Sequence, residues 1–147
     1  MKFTRRDFSK LAGAGLLAAA APRIFSPALA QDKPLKIGII APRSGVAGTA
    51  GECGIRAVQW AAERMNKDGG IAGRKIELVI EEETNPKDTI ERFRRLILQE
   101  KVESVHGLIS TGVSLGVAPV AEEEQALMIM WDGTTQDGVK EMMPNSK

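Results

Sequence analysis

Residues 35–51 read LKIGIIAPRSGVAGTAG: an apolar run, a loop rich in Gly and Ser, and then the start of a helix. Only Lys36 and Gly38 interrupt the run Leu35–Ala41, the pattern of a parallel strand covered on both faces. Parallel strands cannot be joined by tight hairpins and need crossover connections, usually helices. One such strand near the start of the globular part therefore commits the chain to alternating strands and helices.

The segments that follow meet that demand. A first helix is expected over residues 52–66, where Val58, Ala61, Ala62 and Met65 recur at the spacing of one buried stripe, with Trp60 at its border. Asp68-Gly69-Gly70 ends it, since Gly takes the left-handed closing conformation without strain. Residues 75–82 alternate through Ile76, Leu78 and Ile80, as a strand near a sheet edge does. Asn85-Pro86-Lys87-Asp88 is a helix start: Asn85 caps, Pro86 suits the first position and Asp88 favours the positive helix end. That helix carries Ile90, Phe93 and Ile97 on one face. Arg92, Arg94 and Arg95 are read as a solvated face balanced by Glu91 and Glu100.

A third strand covers residues 104–109. A helical segment covers residues 113–125, its main part starting near Gly116 so that Pro119 falls in the first turn. A fourth strand, residues 126–131, is apolar throughout, as a central strand is. Right-handed crossovers turn this order into an α/β, doubly wound parallel sheet with strand order 2-1-3-4. Its switch point lies between strands 1 and 3, and ligands of open α/β sheets bind there, at the carboxyl edge.

The loops at that edge exclude several chemistries. Gly45, Gly48 and Gly51 are spaced G-x-x-G-x-x-G, not the G-x-G-x-x-G of dinucleotide sites, and no Gly-Lys-Ser/Thr of a phosphate loop is present. The one G-x-S-x-G, Gly112-Val113-Ser114-Leu115-Gly116, falls in the expected helical segment and not on the sharp strand-to-helix turn that a nucleophile elbow needs. Strand 3 ends in Ile109-Ser110-Thr111, where a receiver domain would carry a phosphoacceptor Asp. His106 is the single histidine and Cys53 the single cysteine, so neither a metal site nor a disulfide is expected. Cys53 reads as a buried or half-buried residue near a helix start. Glu81-Glu82-Glu83 and Glu122-Glu123-Glu124 read as solvated ends of elements. What remains is a polar, uncharged rim. Ser44, Ser110, Thr111, Thr134 and Thr135 offer hydroxyls, and Gly45, Gly112 and Gly133 let backbone amides approach a ligand. Thr111 and Gly112 precede a helix, whose free amides suit a carboxylate or another small anion.

Charge separates the first thirty residues from the rest. Residues 1–30 carry Lys2, Arg5, Arg6, Lys10 and Arg23 against Asp7, a net +4, which leaves 15 basic and 18 acidic residues, a net −3, in the remainder. The body thus has no basic stripe for nucleic acid, and with 4% aromatic residues and no Tyr it has little means of stacking on bases. The leader has a charged head, the apolar run of residues 11–21 and a small-x-small exit at Ala28-Leu29-Ala30. Arg5-Arg6 with Phe8 and Lys10 resembles a twin-arginine export signal, with Ser9 where a Leu often stands; cleavage is expected after Ala30. An uncleaved amphipathic helix is the alternative.

Taken together, LKIGIIAPRSG, the turn Asn66-Lys67-Asp68-Gly69-Gly70-Ile71-Ala72-Gly73, Asn85-Pro86, Gly107-Leu108-Ile109-Ser110-Thr111 and Leu127-Met128-Ile129 before Gly133-Thr134 resemble the branched-chain amino-acid-binding proteins, the leucine/isoleucine/valine-type solute receptors of ABC importers. The resemblance implies two α/β lobes closing on a ligand, no enzymatic activity, no cofactor, and an ABC permease as membrane partner. It implies that Ser110, Thr111 and Gly112 after strand 3, and Gly133 with Thr134 after strand 4, hold the α-carboxylate of an amino acid or related polar solute. Ser44 and Gly45 would wall the cleft. Asp132 stands where members often carry a neutral residue, which favours a ligand with a cationic or amide part; Ala50 stands where some place an aromatic. Residues 31–147 correspond to the first part of the N-terminal lobe, with the second lobe absent. The twin-arginine translocase and a periplasmic location follow from the leader. Two other readings stay open: a sensory ligand-binding domain of the same fold, and an exported flavodoxin-like enzyme using Asp132 or His106.

Overall fold

Leu35–Ala41 forms β1 and carries the sheet. The computed structural model describes residues 33–132, 138 and 140. The leader, its cleavage site, Gly133, Thr134 and Thr135 lie outside the described residues. After β1 come α1 (Gly48–Lys67), β2 (Ile76–Glu82), α2 (Pro86–Leu98), β3 (Ser104–Gly107), α3 (Thr111–Glu123) and β4 (Met128–Met130). The sheet is parallel throughout, in the order β2-β1-β3-β4, as expected. Ile39 lies opposite Ile80 on one side and His106 on the other. The chain leaves β1 toward β2 and returns on the far side as β3, which opens the switch-point crevice.

Alternation along β1 divides the core. Ile39 and Ala41 pack with Ile55 of α1, and Ile37, Val58, Leu78, Ile80 and Trp131 join them. Ile40 faces the opposite way, into Phe93 and Leu96 of α2 and Val113 and Val117 of α3. One helix therefore covers one face and two cover the other, each through its own apolar stripe. The start of α2 is as predicted: Asn85 Oδ1 accepts from the Asp88 amide at 3.0 Å, with Pro86 at the first helical position.

Several boundaries differ from expectation for identifiable reasons. α1 begins at Gly48, not near residue 52, because Gly48 N–H bonds to Gly45 O and Gly51 N–H to Ala47 O. Its buried stripe accordingly runs through Gly51, Ile55 and Ala62, while Met65 is 42% and Trp60 64% exposed. Arg64 lies over the Trp60 ring, 5.7 Å from its centroid. α3 begins at Thr111, so Pro119 sits inside the helix. Pro119 is exposed, and without an N–H it leaves one carbonyl of the preceding turn without its intrahelical donor. β3 ends at Gly107 because Gly107 (φ 124°) and Leu108 (φ 58°) turn the chain there. β4 is shorter than residues 126–131; among the described residues it pairs with β3 alone, and Ile129 is 43% exposed.

The arginines of α2 also find different partners. Arg95 pairs with Glu81, Arg94 with Glu123 at 2.9 Å and Glu124 at 3.6 Å, and Arg92 donates to the Glu82 carbonyl. They tie α2 to β2 and α3 instead of balancing within their own helix.

Candidate ligand-binding site

The carboxyl ends of β1, β2 and β3 bring two of the predicted loops together. After β1, Ser44 Oγ donates to Glu82 Oε1 at 3.1 Å, and Gly45 turns the chain at φ 70°, where an added Cβ would meet nothing within 4 Å. An open groove of about 370 Å³ lies beside this loop, bordered by Arg43, Ser44, Gly45, Thr49, Cys53 and Arg56. Arg43 pairs with Glu52 at 2.7 Å. Cys53 is exposed, contrary to the expected burial or half-burial, because it lies off the stripe of Gly51, Ile55 and Ala62 that α1 buries.

After β3, the backbone passes through the two positive-φ residues and enters α3 with Ser110 as its N-cap. A side chain at Gly107 would place Cβ 1.9 Å from Ile40 O, so only glycine lets β3 lie this close to β1 at its exit. Ser110, Thr111 and Gly112 are all exposed. Thr111 and Gly112 do not precede the helix, as expected, but form its first turn. Their amides still lack intrahelical acceptors, since the first turn of any helix does. Ser110 provides no side-chain cap, and no acidic side chain lies in that turn. The helix therefore opens toward solvent with free donors and its positive dipole end. Just inside, Ser114 is fully buried and its hydroxyl has no hydrogen-bond partner.

Sequence reasoning missed Glu83. The sequence pattern predicts a solvated side chain, yet only 4% of it is exposed. Its carboxylate accepts from the Ile109 amide at 2.7 Å and the Ser110 amide at 2.9 Å. Strand alternation sets Glu82 apart and not Glu83, so no local pattern in the three glutamates marks the buried one. Glu82 thus holds the first loop and Glu83 the third. Asp132, after β4, is exposed.

The remaining candidates are placed elsewhere. His106 Nε2 lies 3.0 Å from Ser104 Oγ on β3, and burial pulls the imidazole pKa below its ordinary 6.5. Among the described residues, no group of three His, Cys, Asp or Glu side chains is arranged to hold a metal.

Residues 34–145 match the periplasmic binding protein family. The chain belongs to that family. Leu/Ile/Val-binding protein homolog 7 of Brucella suis is 33% identical over 112 residues, which cover 76% of this chain and 26% of the relative. An amino acid binding protein of Pseudomonas aeruginosa is 30% identical over 133 residues, 90% of this chain and 35% of that protein. Among solved structures, the branched-chain amino acid transporter substrate binding protein LivJ of Streptococcus pneumoniae, in complex with isoleucine, superposes with a TM-score of 0.69 at 25% identity, over 75% of this chain and 32% of that one. A solute binding protein of an R. palustris ABC transporter, in complex with 4-hydroxybenzoate, gives 0.65 at 28% identity, over 76% and 30%. The chain thus spans about a quarter to a third of the length of these relatives. Its 2-1-3-4 parallel sheet is the lobe fold of such periplasmic binding proteins.

Proposed function

We propose that this chain is the opening part of the N-terminal lobe of an extracytoplasmic solute-binding component of an ABC importer, which binds without converting its ligand. The ligand is an amino acid or a related small polar solute, with amide- or urea-like solutes in the same class. The carrying observation is the exposed start of α3, with no side-chain cap at Ser110, which follows β3 where β3 pairs with β1 at the switch point. A carboxylate there accepts from first-turn amides and hydroxyls and meets the positive helix end. The solved relatives support this chemistry: isoleucine and 4-hydroxybenzoate differ in most respects but share a carboxylate.

In this reading Ser110, Thr111 and Gly112, together with Gly133 and Thr134, hold the carboxylate. Ser44 and Gly45 form a wall, and Asp132 borders the pocket. Closure of a second lobe completes the contacts, and a membrane permease recognises the closed state that the ligand favours through its higher affinity for it. Residues 1–30 direct export through the twin-arginine translocase, with cleavage after Ala30 releasing the protein into the periplasm.

Calorimetry of the full-length protein against L-isoleucine, L-glutamine, urea and 4-hydroxybenzoate tests the reading. Saturable binding of an amino acid or amide supports it. No binding across the panel overturns it.

A further inference from the structure

We infer that Glu83 is a positioning residue for this ligand site: its buried carboxylate fixes the backbone that leads into α3, so that the amides of the first turn face the cleft. The inference rests on the ligand reading above. Glu83 touches three parts of the carboxyl edge at once. It directly follows β2, its own amide donates to Ala41 O at 2.9 Å, and its carboxylate oxygens take the Ile109 and Ser110 amides. The ends of β1 and β2 are thereby joined to the β3–α3 loop through one side chain.

That loop needs such a hold. Leu108 is a fully buried residue at φ 58°, a conformation that side-chain-bearing residues seldom adopt. It persists only where surrounding contacts over-determine it. One contact is the bond from Leu108 N–H to Ile40 O at 2.8 Å. Glu83 supplies the next two, on the residues that immediately follow. Bonds from amides to an ionised acceptor are stronger than neutral ones, and at 4% exposure water competes little for them.

The division of donors matters for the ligand. Glu83 satisfies Ile109 and Ser110, the amides just before the helix, and leaves those of Thr111, Gly112 and Val113 for a bound anion. It thus settles where along the loop a carboxylate docks. Without it the loop must be ordered by the ligand, at a cost in affinity, and the vacated amides offer a competing, misplaced seat.

The test compares wild type with Glu83→Gln, Glu83→Ala and Thr111→Ala in the full-length protein, using the four-solute panel and amide hydrogen exchange. Gln keeps the shape and one acceptor, so this variant folds even where Ala does not. The expected result is affinity for the bound solute weakened about tenfold in Glu83→Gln, the fold-change of one lost hydrogen bond. Faster exchange at Ile109 and Ser110 accompanies it, with Phe93 and Leu96 unchanged. A merely structural role lowers the melting temperature and speeds exchange across β3 and α3, but leaves affinity intact in the folded protein; that result overturns the proposal. Weakening in Thr111→Ala with none in Glu83→Gln overturns this proposal alone. A wild type that binds none of the four solutes overturns the ligand reading and this inference with it.

Discussion

Asn66 holds both backbone groups of Ile76: its Nδ2 donates to Ile76 O at 2.9 Å, and its Oδ1 accepts from Ile76 N–H at 2.7 Å. The residues between them form a tight reversal from α1 into β2. Gly69, Gly70, Ala72 and Gly73 all have positive φ, and Ile71 bridges Arg74. This explains the Asn-x-x-Gly-Gly-Ile-x-Gly signature physically. The amide side chain reproduces a strand partner for the first residue of β2, and the glycines allow the return.

Removing that clamp should therefore destabilise without touching the cleft. Asn66→Ala leaves both Ile76 groups without their partner and should cost about 1–3 kcal/mol in urea denaturation, with solute affinity unchanged in the folded protein.

Two glycines at the site should behave oppositely. Gly107→Ala forces Cβ to within 1.9 Å of Ile40 O at φ 124°, and should lose on the order of 3 kcal/mol or fail to fold. Gly112→Ala meets nothing within 4 Å and should fold normally. Thermal melts of the two variants separate the cases.

The hydroxyls proposed to meet the carboxylate make a direct prediction. Thr111→Ala and Thr134→Ala should each weaken solute binding by about 1–3 kcal/mol in calorimetry. Thr111 is exposed, so its loss should leave the melting temperature unchanged.

His106 gives the fold an acid-side sensitivity. Burial lowers its folded pKa below 6.5, so the neutral ring is the folded form. The unfolded chain then binds more protons than the folded one in the window below about 6.5. The His106 contribution is fully present above that pH and is lost as pH falls through the folded pKa. His106→Gln should flatten this part of a stability-against-pH curve measured by denaturant midpoints; an unchanged curve would refute the assignment.

Much of the architecture was legible in the chain. Strand and helix periods, the Asn85-Pro86 start and the glycine stops are local properties, and right-handed crossovers then leave few ways to order four strands. The candidate loops followed, because the carboxyl edge of such a sheet is known once the strands are. Ser110, Thr111 and Gly112 do lie together at an open helix start.

Other features depended on neighbours distant in sequence. The buried stripe of α1 moved toward its N-terminus because Gly48 and Gly51 let that end close on the backbone of Arg43 and Pro42. Arg94 and Arg95 met Glu123 and Glu81, partners 29 and 14 residues away that helix periodicity does not register. Composition marked Glu81, Glu82 and Glu83 alike as polar. Only the parallel register of β2 on β1, and the backbone of β3 turning left-handed at Gly107 and Leu108, set Glu83 against the amides of Ile109 and Ser110. Short-range pattern specifies which segments are strands and helices, because those preferences are local. Which of three adjacent carboxylates is buried is decided by donors 26 and 27 residues further along, brought near only when the sheet is assembled.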